Sequence, residues 1–247
     1  MHDFVFNGQR LSDFGACIVE LPHYSIAMRD LSFNSVLGRS GDIITDNNRY
    51  KNVELSYKIS SIPNNRMTAQ GFIYRLTQWL VSSHEYGILK DTYNTGYFRK
   101  AVVTSIETPT ATLGGIVSTS VTFNCEPFLY NDTGAEKLIY TTTAGTITAN
   151  LHNPEQWSSA PIIRIIGSGD YSVAVSNQTS FSISSVIDEI TIDKMNEDVY
   201  DKNGKSCNDK ITCLKLPEFL PGNSNVTISS TSNSTFTVEI TPNWRRL

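Results

Sequence analysis

Two stretches of the chain alternate between apolar and polar residues, strictly at positions 52–59 and, apart from Thr119, at positions 117–125. In the first stretch, Val53, Leu55, Tyr57 and Ile59 are separated by polar side chains. Successive side chains of a strand point to opposite faces, so a period of two predicts a β-strand with one buried face. Both stretches therefore indicate strands that cover a core.

A single segment, from Arg66 to Ser82, has the periodicity of an amphipathic helix. Its apolar residues fall on one face at helical spacing, and they are Phe72, Ile73, Leu76, Trp79 and Leu80. Asn64, Asn65 or Thr68 could cap the N-terminus of this helix through a side-chain oxygen. We expect the apolar face to pack into a core rather than to form a groove for a partner.

Residues 87–91 and 97–103 predict two further strands, joined by the polar, glycine-containing segment 92–96. This pattern is typical of a β-hairpin. The composition then changes between Tyr130 and Asn150, where turn signals cluster at 131–134 and 141–145. We therefore place a domain boundary near residue 135.

Beyond that boundary the sequence predicts many short strands at close spacing, which is typical of a β-sandwich or barrel. The predicted strands are 161–166, 171–176, 179–184, 189–193, 225–229 and 235–240. The expected organisation is an N-terminal domain over residues 1–135, a second domain over 136–240 and a terminal segment over 241–247. The chain contains 28 Ser, 25 Thr, 11 Tyr and 11 Phe, and this composition also favours strands over helices.

The charge balance argues against two classes of partner. The chain has 20 basic and 24 acidic side chains, a net charge of −4, so no broad basic surface for nucleic acid or anionic lipid is expected. No run of 18 apolar residues is present, and the N-terminus shows no pattern of a signal peptide. We therefore expect neither a membrane span nor secretion.

Cysteine and histidine patterns give little support to metal or redox chemistry. Cys17 and Cys125 lie within apolar alternation and are expected to be small core residues. Cys207 and Cys213 flank a polar loop, and whether they form a disulfide is left open. The four histidines are scattered, so we expect no metal site and no cofactor.

Hydrolytic chemistry has no clear candidate. Gly38–Asp42 holds a serine between glycines but departs from the nucleophile-elbow pattern, and we interpret it as a turn. Asp188, Glu189 and Asp193 lie on or beside one predicted strand, where a separation of four residues is about 13 Å. That distance exceeds the spacing of a glycosidase carboxylate pair, so these acids are expected at a solvated strand end. The expectation is a protein without catalytic activity.

Aromatic residues of a β-sandwich can stack on sugar rings, and packing in a core or interface is the competing interpretation. The candidates in the second domain are Trp157, Tyr171, Tyr200 and Trp244. Stacking requires an exposed ring, which the sequence does not reveal.

Taken in order, several motifs resemble the distal tail protein (Dit) family of long, flexible-tailed bacteriophages, also described as siphovirus tail components. They begin with F-x-F-N-G-x-x-L-S-D-F-G at residues 4–15, followed by G-R-S-G-D at 38–42, the strand 50–59, the helix with Trp79-Leu80 and Y-F-R-K-A at 97–101. The second half contributes P-I-I-R-I at 161–165, G-S-G at 167–169, E-I-T-I-D at 189–193, V-Y at 199–200 and P-x-F-L-P-G-x-S-N at 217–225. The ending I-T-P-N-W-R-R-L, at 240–247, is the most distinctive piece, although Asn243 stands where an arginine is common.

The resemblance implies a mainly β fold with two domains. The first would be a β-sandwich or split-barrel-like domain with one α-helix and a protruding β-hairpin. The second would be a galectin-like or carbohydrate-module-like β-sandwich. The chain lacks the long insertion that carries extra sugar-binding modules in some relatives, so sugar binding by an insert is not expected.

The resemblance also implies a structural role at the tail tip of a virion that is assembled in the bacterial cytoplasm. Six copies would form a ring through their N-terminal domains, joining the tail tube protein to a tail-associated lysin or fibre protein. A receptor-binding protein is a further candidate partner on the second domain. DNA would pass through the ring without being recognised.

Two sets of residues are candidates for assembly. The hairpin residues Tyr93, Tyr97, Phe98, Arg99 and Lys100 are candidates for a ring-forming arm, with an ordinary intramolecular hairpin as the alternative. The terminal residues Trp244, Arg245 and Leu247 are candidates for pinning the last segment onto the N-terminal domain. The alternative function is a carbohydrate-binding protein that contacts cell-wall glycans, and the least favoured is a hydrolase.

Overall fold

The computed structural model describes residues 2–61, 68–112 and 115–247. The chain divides into two compact units, one ending at Leu129 and the other spanning Tyr130–Arg246, with Leu247 assigned to the first. The division falls before the position near 135 that composition suggests. The reason is local: the turn Asp132–Ala135, capped by the Asn131 side chain, belongs to the second unit.

The described residues of the first unit form eleven strands and one α-helix. The strands are β1 Phe4–Phe6, β2 Gln9–Arg10, β3 Ala16–Ile18, β4 His23–Tyr24, β5 Arg29–Asn34, β6 Ile43–Tyr50, β7 Val53–Ser61, β8 Gly87–Asp91, β9 Tyr97–Ile106, β10 Thr110–Ala111 and β11 Val117–Cys125. The helix is α1 Ala69–Val81, and a short 3-10 helix spans Leu11–Phe14. Seven strands follow one another in the order β2-β1-β8-β9-β11-β7-β3 and form a curled half-barrel, with β10 beside β11 and β4 beside β7.

The two alternating stretches of the sequence become β7 and β11, which pair antiparallel. Tyr57 lies opposite Val121 and Leu55 opposite Phe123, and all four side chains are buried in one core cluster. The prediction of two strands with one buried face is therefore confirmed.

Helix α1 packs its apolar face into the same cluster, with Phe72, Leu76, Trp79 and Leu80 buried. Thr68 caps the helix by accepting a hydrogen bond from the Gly71 amide at 3.1 Å. The other proposed caps, Asn64 and Asn65, and the predicted first residue, Arg66, lie outside the described residues. The Trp79 indole also donates to the Phe6 carbonyl at 3.1 Å, which joins the helix to the first strand.

The second unit is a β-sandwich. After β12 Leu129–Asn131 at the division, its strands are β13 Leu138–Thr142, β14 Thr146–Asn153, β15 Ile162–Ile166, β16 Gly169–Val175, β17 Phe181–Val186, β18 Glu189–Asp193, β19 Asp198–Tyr200, β20 Gly222–Ser230, β21 Phe236–Thr241 and β22 Arg245–Arg246. One sheet has the order β13-β21-β15-β18-β19, and the other has the order β14-β20-β16-β17. Their inward side chains share one core that includes Ile163, Tyr171, Ile192 and Val238.

The mainly β fold class with a single α-helix, expected from the sequence, is confirmed for the described part of the chain. Within the described residues, no helix is both long and apolar enough to cross a bilayer.

Candidate assembly surface

Strands β5 and β6 form a two-stranded sheet of their own, and we call residues 29–50 the arm. An isolated two-stranded hairpin is marginally stable in water, because it has no hydrophobic face to bury. Among the described residues neither strand pairs with any other strand, so both outer edges keep unpaired backbone groups. Such edges are templates for pairing with another chain.

Large apolar side chains concentrate on this arm and remain exposed. Phe33 and Ile44 are direct cross-strand partners, and each is 60% exposed. Val36 and Leu37 in the connection and Ile43 at the start of β6 are also exposed. Exposed apolar side chains gathered on one segment make the arm a candidate interaction surface.

The base of the arm is fixed by charge. Arg29 contacts Asp46 at 2.5 Å and Arg49 contacts Asp30 at 2.6 Å, so each pair joins the two strands. The hydrogen bond from Arg49 also lowers the pKa of the Asp30 carboxyl below its usual value. The guanidinium of Arg29 lies 5.2 Å from the centre of the Tyr50 ring. Charged pairs thus lie at the base of the arm, and exposed apolar side chains lie toward its tip.

The sequence contains a signal for this arm, although the Gly38–Asp42 segment by itself predicts only a turn. That turn is flanked by two segments rich in apolar residues, 31–37 with Leu31, Phe33, Val36 and Leu37, and 43–44 with two isoleucines, which together suit a hairpin. The alternation is imperfect because no side of the hairpin is buried within this chain.

The predicted hairpin, β8 and β9, lies inside the curled sheet. β8 already pairs with β1 on one side and β9 on the other, so it offers no free edge for adding a strand. Phe98 is only 7% exposed, and the Tyr93 ring packs on the core and stacks on His2 with centroids 4.6 Å apart. The remaining candidates, Tyr97, Arg99 and Lys100, are partly exposed beside this turn. Their part in an interface stays a prediction.

One carboxylate holds this turn in place. Asp91 Oδ1 accepts hydrogen bonds from the amides of Tyr93 at 2.9 Å and Asn94 at 2.8 Å. Its Oδ2 accepts a hydrogen bond from the buried Tyr57 hydroxyl at 2.6 Å. Burial, followed by the charge of Asp91, raises the pKa of Tyr57 well above its usual value. The turn is therefore tied to the core of the first unit.

We expect Asp91→Ala to lower the free energy of unfolding by about 2–3 kcal/mol, because it leaves a buried hydroxyl and two turn amides without their acceptor. Urea unfolding monitored by circular dichroism measures the change. The matched control is the double variant with Tyr57→Phe, which removes the orphaned hydroxyl and should recover part of the loss. A loss below about 0.5 kcal/mol would mean that the turn does not depend on this carboxylate.

The carboxylates considered for hydrolysis each have a structural partner. Asp188 contacts Lys202 at 2.5 Å, and Glu189 pairs with Arg164. Asp193 is buried and accepts hydrogen bonds from the amides of the following turn. Among the described residues, no group of three or more His, Cys, Asp or Glu side chains could hold a metal ion.

The remaining sequence candidates are mostly packing residues. Tyr171 is fully buried against Phe236 with ring centroids 5.1 Å apart, so it is not available for stacking on a sugar. Cys207 and Cys213 are free thiols, as are the two cysteines of the first unit. Burial raises the pKa of Cys125 to about 12, which makes its thiol unreactive at neutral pH.

The end of the chain packs within the second unit. The Trp244 ring is buried in the core cluster of that unit, 5.8 Å from the ring of Phe219. Arg245 Nε donates to the Ser158 carbonyl at 2.9 Å, and Leu247 is exposed. Trp244 is therefore a core residue rather than an exposed ring, and the proposed pinning of the two domains stays a prediction.

The two-unit architecture, a half-barrel sheet with one helix and a β-sandwich, is the Dit-like fold of phage distal tail proteins. One solved example is the Dit protein of phage SPP1, described as a paradigm of the hub of the adsorption apparatus in phages that infect Gram-positive bacteria. The similarity covers 100% of both chains with a TM-score of 0.67 and 15% sequence identity.

The same fold occurs in two structures of the phage p2 baseplate in its activated conformation, one with Ca and one with Sr. Their TM-scores are 0.51 and 0.52 at 8% and 9% identity, and each match covers 100% of this chain and 98% of the other. No family model matches the chain, and no curated protein matches it either. At these identities the comparisons show the fold.

Proposed function

We propose that this protein is a structural hub of a bacteriophage tail tip, in which six copies form a ring through their first units. The observation that carries the proposal is the arm, an unsupported hairpin with exposed apolar side chains and two unpaired edges. Closed rings are built from heterologous contacts, in which one patch of a copy meets a different patch of the next copy. A hairpin that projects its own apolar tip suits one half of such a contact.

In this proposal the ring joins the tail tube protein on one face to a tail-associated lysin or fibre protein on the other. The second unit serves as a platform for host-adsorption components, and a receptor-binding protein is one candidate. DNA passes through the ring without sequence recognition, in keeping with a net charge of −4. The full-length similarity to hub and baseplate proteins supports a non-catalytic role in the virion.

The proposal predicts a particle of six copies in solution. Light scattering behind gel filtration should give 6 × 27.5, or 165 kDa, and negative-stain images of that peak should show a central hole. A 27.5 kDa species that persists at high protein concentration would contradict a ring formed by this chain alone.

A further inference from the structure

The outer face of the five-stranded sheet in the second unit carries a row of polar side chains. Along β15 and β18, Ile163, Ile165 and Ile192 turn into the core, so the residues that alternate with them turn outward. Register partners then form one line across four neighbouring strands, and they are Glu239, Arg164, Thr191 and Tyr200. Three interstrand spacings make this line about 14 Å long.

This face is concave. Residues of β15, β18, β19 and β21, together with Lys137 just before β13 and the loop after β19, line a cavity of about 280 Å³. That volume is near the lower end of small-ligand sites, about 300 Å³, so the occupant is a small molecule or the end of a larger one. Tyr200 forms one wall, and its hydroxyl has no hydrogen-bond partner among the described residues.

Arg164 is held at the centre of the cavity by carboxylates on both neighbouring strands. Its Nη1 contacts Glu239 Oε2 at 3.2 Å, and its Nη2 contacts Glu189 Oε2. Lys137 approaches the same Glu239 oxygen at 2.9 Å. These contacts raise the pKa of Arg164 and lower that of Glu239, so both groups are charged over the whole neutral range.

The ion pairs around Arg164 leave hydrogen-bond donors and acceptors unused, and they hold these groups in fixed positions. A guanidinium has five N–H donors, and the two carboxylate contacts do not use all of them. Both carboxylates are engaged through Oε2, and within the described structure their Oε1 atoms accept no hydrogen bond. Donors and acceptors therefore alternate across the cavity, which suits adjacent hydroxyl groups, since each hydroxyl both donates and accepts.

The charge of the lining indicates what kind of ligand fits. Its basic side chains, Lys137, Arg164 and Lys202, are matched by three acidic ones, Glu189, Asp201 and Glu239, so the formal sum is 3 − 3, or zero. An anion would meet carboxylates on both sides of Arg164, and a cation would meet the guanidinium itself. The lining thus favours a neutral ligand with several hydroxyls and one apolar face for the tyrosine ring.

We propose that this cavity, centred on Arg164 between Glu189 and Glu239 with Tyr200 as a wall, binds a neutral saccharide. All four residues belong to one unit of one copy, so the site does not depend on ring formation. It places the sugar-binding alternative raised by the sequence at a defined sheet face. Of the four aromatic candidates, only Tyr200 lies in this cavity.

The test uses the full chain. Fluorescently labelled protein is applied to an array of neutral, sialylated and phosphorylated oligosaccharides, and the neutral glycan with the strongest signal is titrated by calorimetry. We expect neutral glycans to bind in preference to charged ones. Arg164→Met should weaken the titrated interaction about tenfold or more, because charge-assisted hydrogen bonds are lost. Glu239→Gln, which keeps the side-chain shape, should weaken it in the same direction.

The matched control is Lys215→Met, which removes another basic residue of the second unit from an ion pair outside the cavity. Its affinity should stay within about twofold of the unaltered chain. A thermal melt of each variant establishes folding, and if Arg164→Met fails to fold, Glu239→Gln decides. The proposal is overturned if no neutral saccharide binds, if charged glycans are preferred, or if binding survives both cavity variants.

Discussion

A chain that carries both Phe33→Ser and Ile44→Ser is expected to elute as a 27.5 kDa monomer under conditions where the unaltered chain forms a ring. These two side chains are cross-strand partners at 60% exposure on the arm, and neither belongs to a core cluster, so truncating them costs a single copy little. Burying an apolar side chain of this size contributes about 1.5–3 kcal/mol. Since each side chain is 60% exposed, about that share of the gain is available at the contact, and losing two weakens it by about 2–4 kcal/mol, a factor of about 30–10³.

The monomer should keep the thermal stability of the unaltered monomer, because the change removes no internal core contact. The matched control is the pair Ile187→Ser and Leu214→Ser, two exposed apolar residues in the second unit. That control should form the ring normally. An intact 165 kDa particle from the arm variant would show that assembly uses another surface, and the hairpin turn at Tyr97 and Lys100 would then be tested next.

Elements that bury one face within a single copy were the easiest to predict from the sequence. The strands β7 and β11 and the helix α1 have a strong period, because each buries one side in the core of the first unit. The ends of the helix were harder to predict. The apolar pattern extends to Ser82, whereas the helix ends at Val81, and its N-terminus depends on the Thr68 cap. Periodicity reports burial, and caps depend on single hydrogen bonds.

The arm shows why a hairpin that is exposed in one copy is harder to predict. Its strands have the composition of a hairpin, yet their apolar residues face solvent in one copy. Phe98 and Tyr93 are candidates for a ring-forming arm from the sequence, and in the structure both pack against their own unit. Their part in an interface stays a prediction. A list of aromatic residues does not distinguish a core from an interface, because only the tertiary structure reveals which rings remain exposed.

The cavity around Arg164 could not be predicted from the sequence, for a different reason. Arg164 and Glu239 are 75 positions apart and meet only because β15 and β21 are neighbours in register. Glu189 was considered as a member of a carboxylate pair along one strand, whereas its partner lies on the adjacent strand. Strand order, which the sequence pattern does not encode, therefore determines which charges meet.

Trp244→Ala is expected to lower the free energy of unfolding of the second unit by about 3–5 kcal/mol, the usual cost of truncating a buried tryptophan. The Trp244 ring packs in the core beside Phe219, and the backbone of this segment also forms hydrogen bonds. The Trp244 carbonyl accepts from the Asn131 amide at 2.9 Å, and the Asn243 amide donates to the Gly134 carbonyl at 2.7 Å. The terminal segment is thus hydrogen-bonded to the first residues of the second unit.

A side chain at Gly134 would meet the Trp244 backbone nitrogen at 2.4 Å, so the fit between these segments is tight. Thermal unfolding of the full chain measures the loss, and amide hydrogen exchange locates it. Removing residues 242–247 should have an effect at least as large, because it also deletes the Asn243 hydrogen bonds to Gly134 and Ala160.

Hydrogen exchange also separates two roles for the terminal segment. If Trp244 serves mainly the core in which it is buried, the protection lost in Trp244→Ala is confined to amides of Tyr130–Arg246. If the segment also pins the N-terminal domain, amides before Leu129 lose protection as well. Leu214→Ala is the matched control, since that side chain of the second unit is fully exposed, lies outside the terminal segment, and its loss should change stability by less than about 0.5 kcal/mol. Unchanged stability in Trp244→Ala would mean that the terminal segment contributes nothing to the second core.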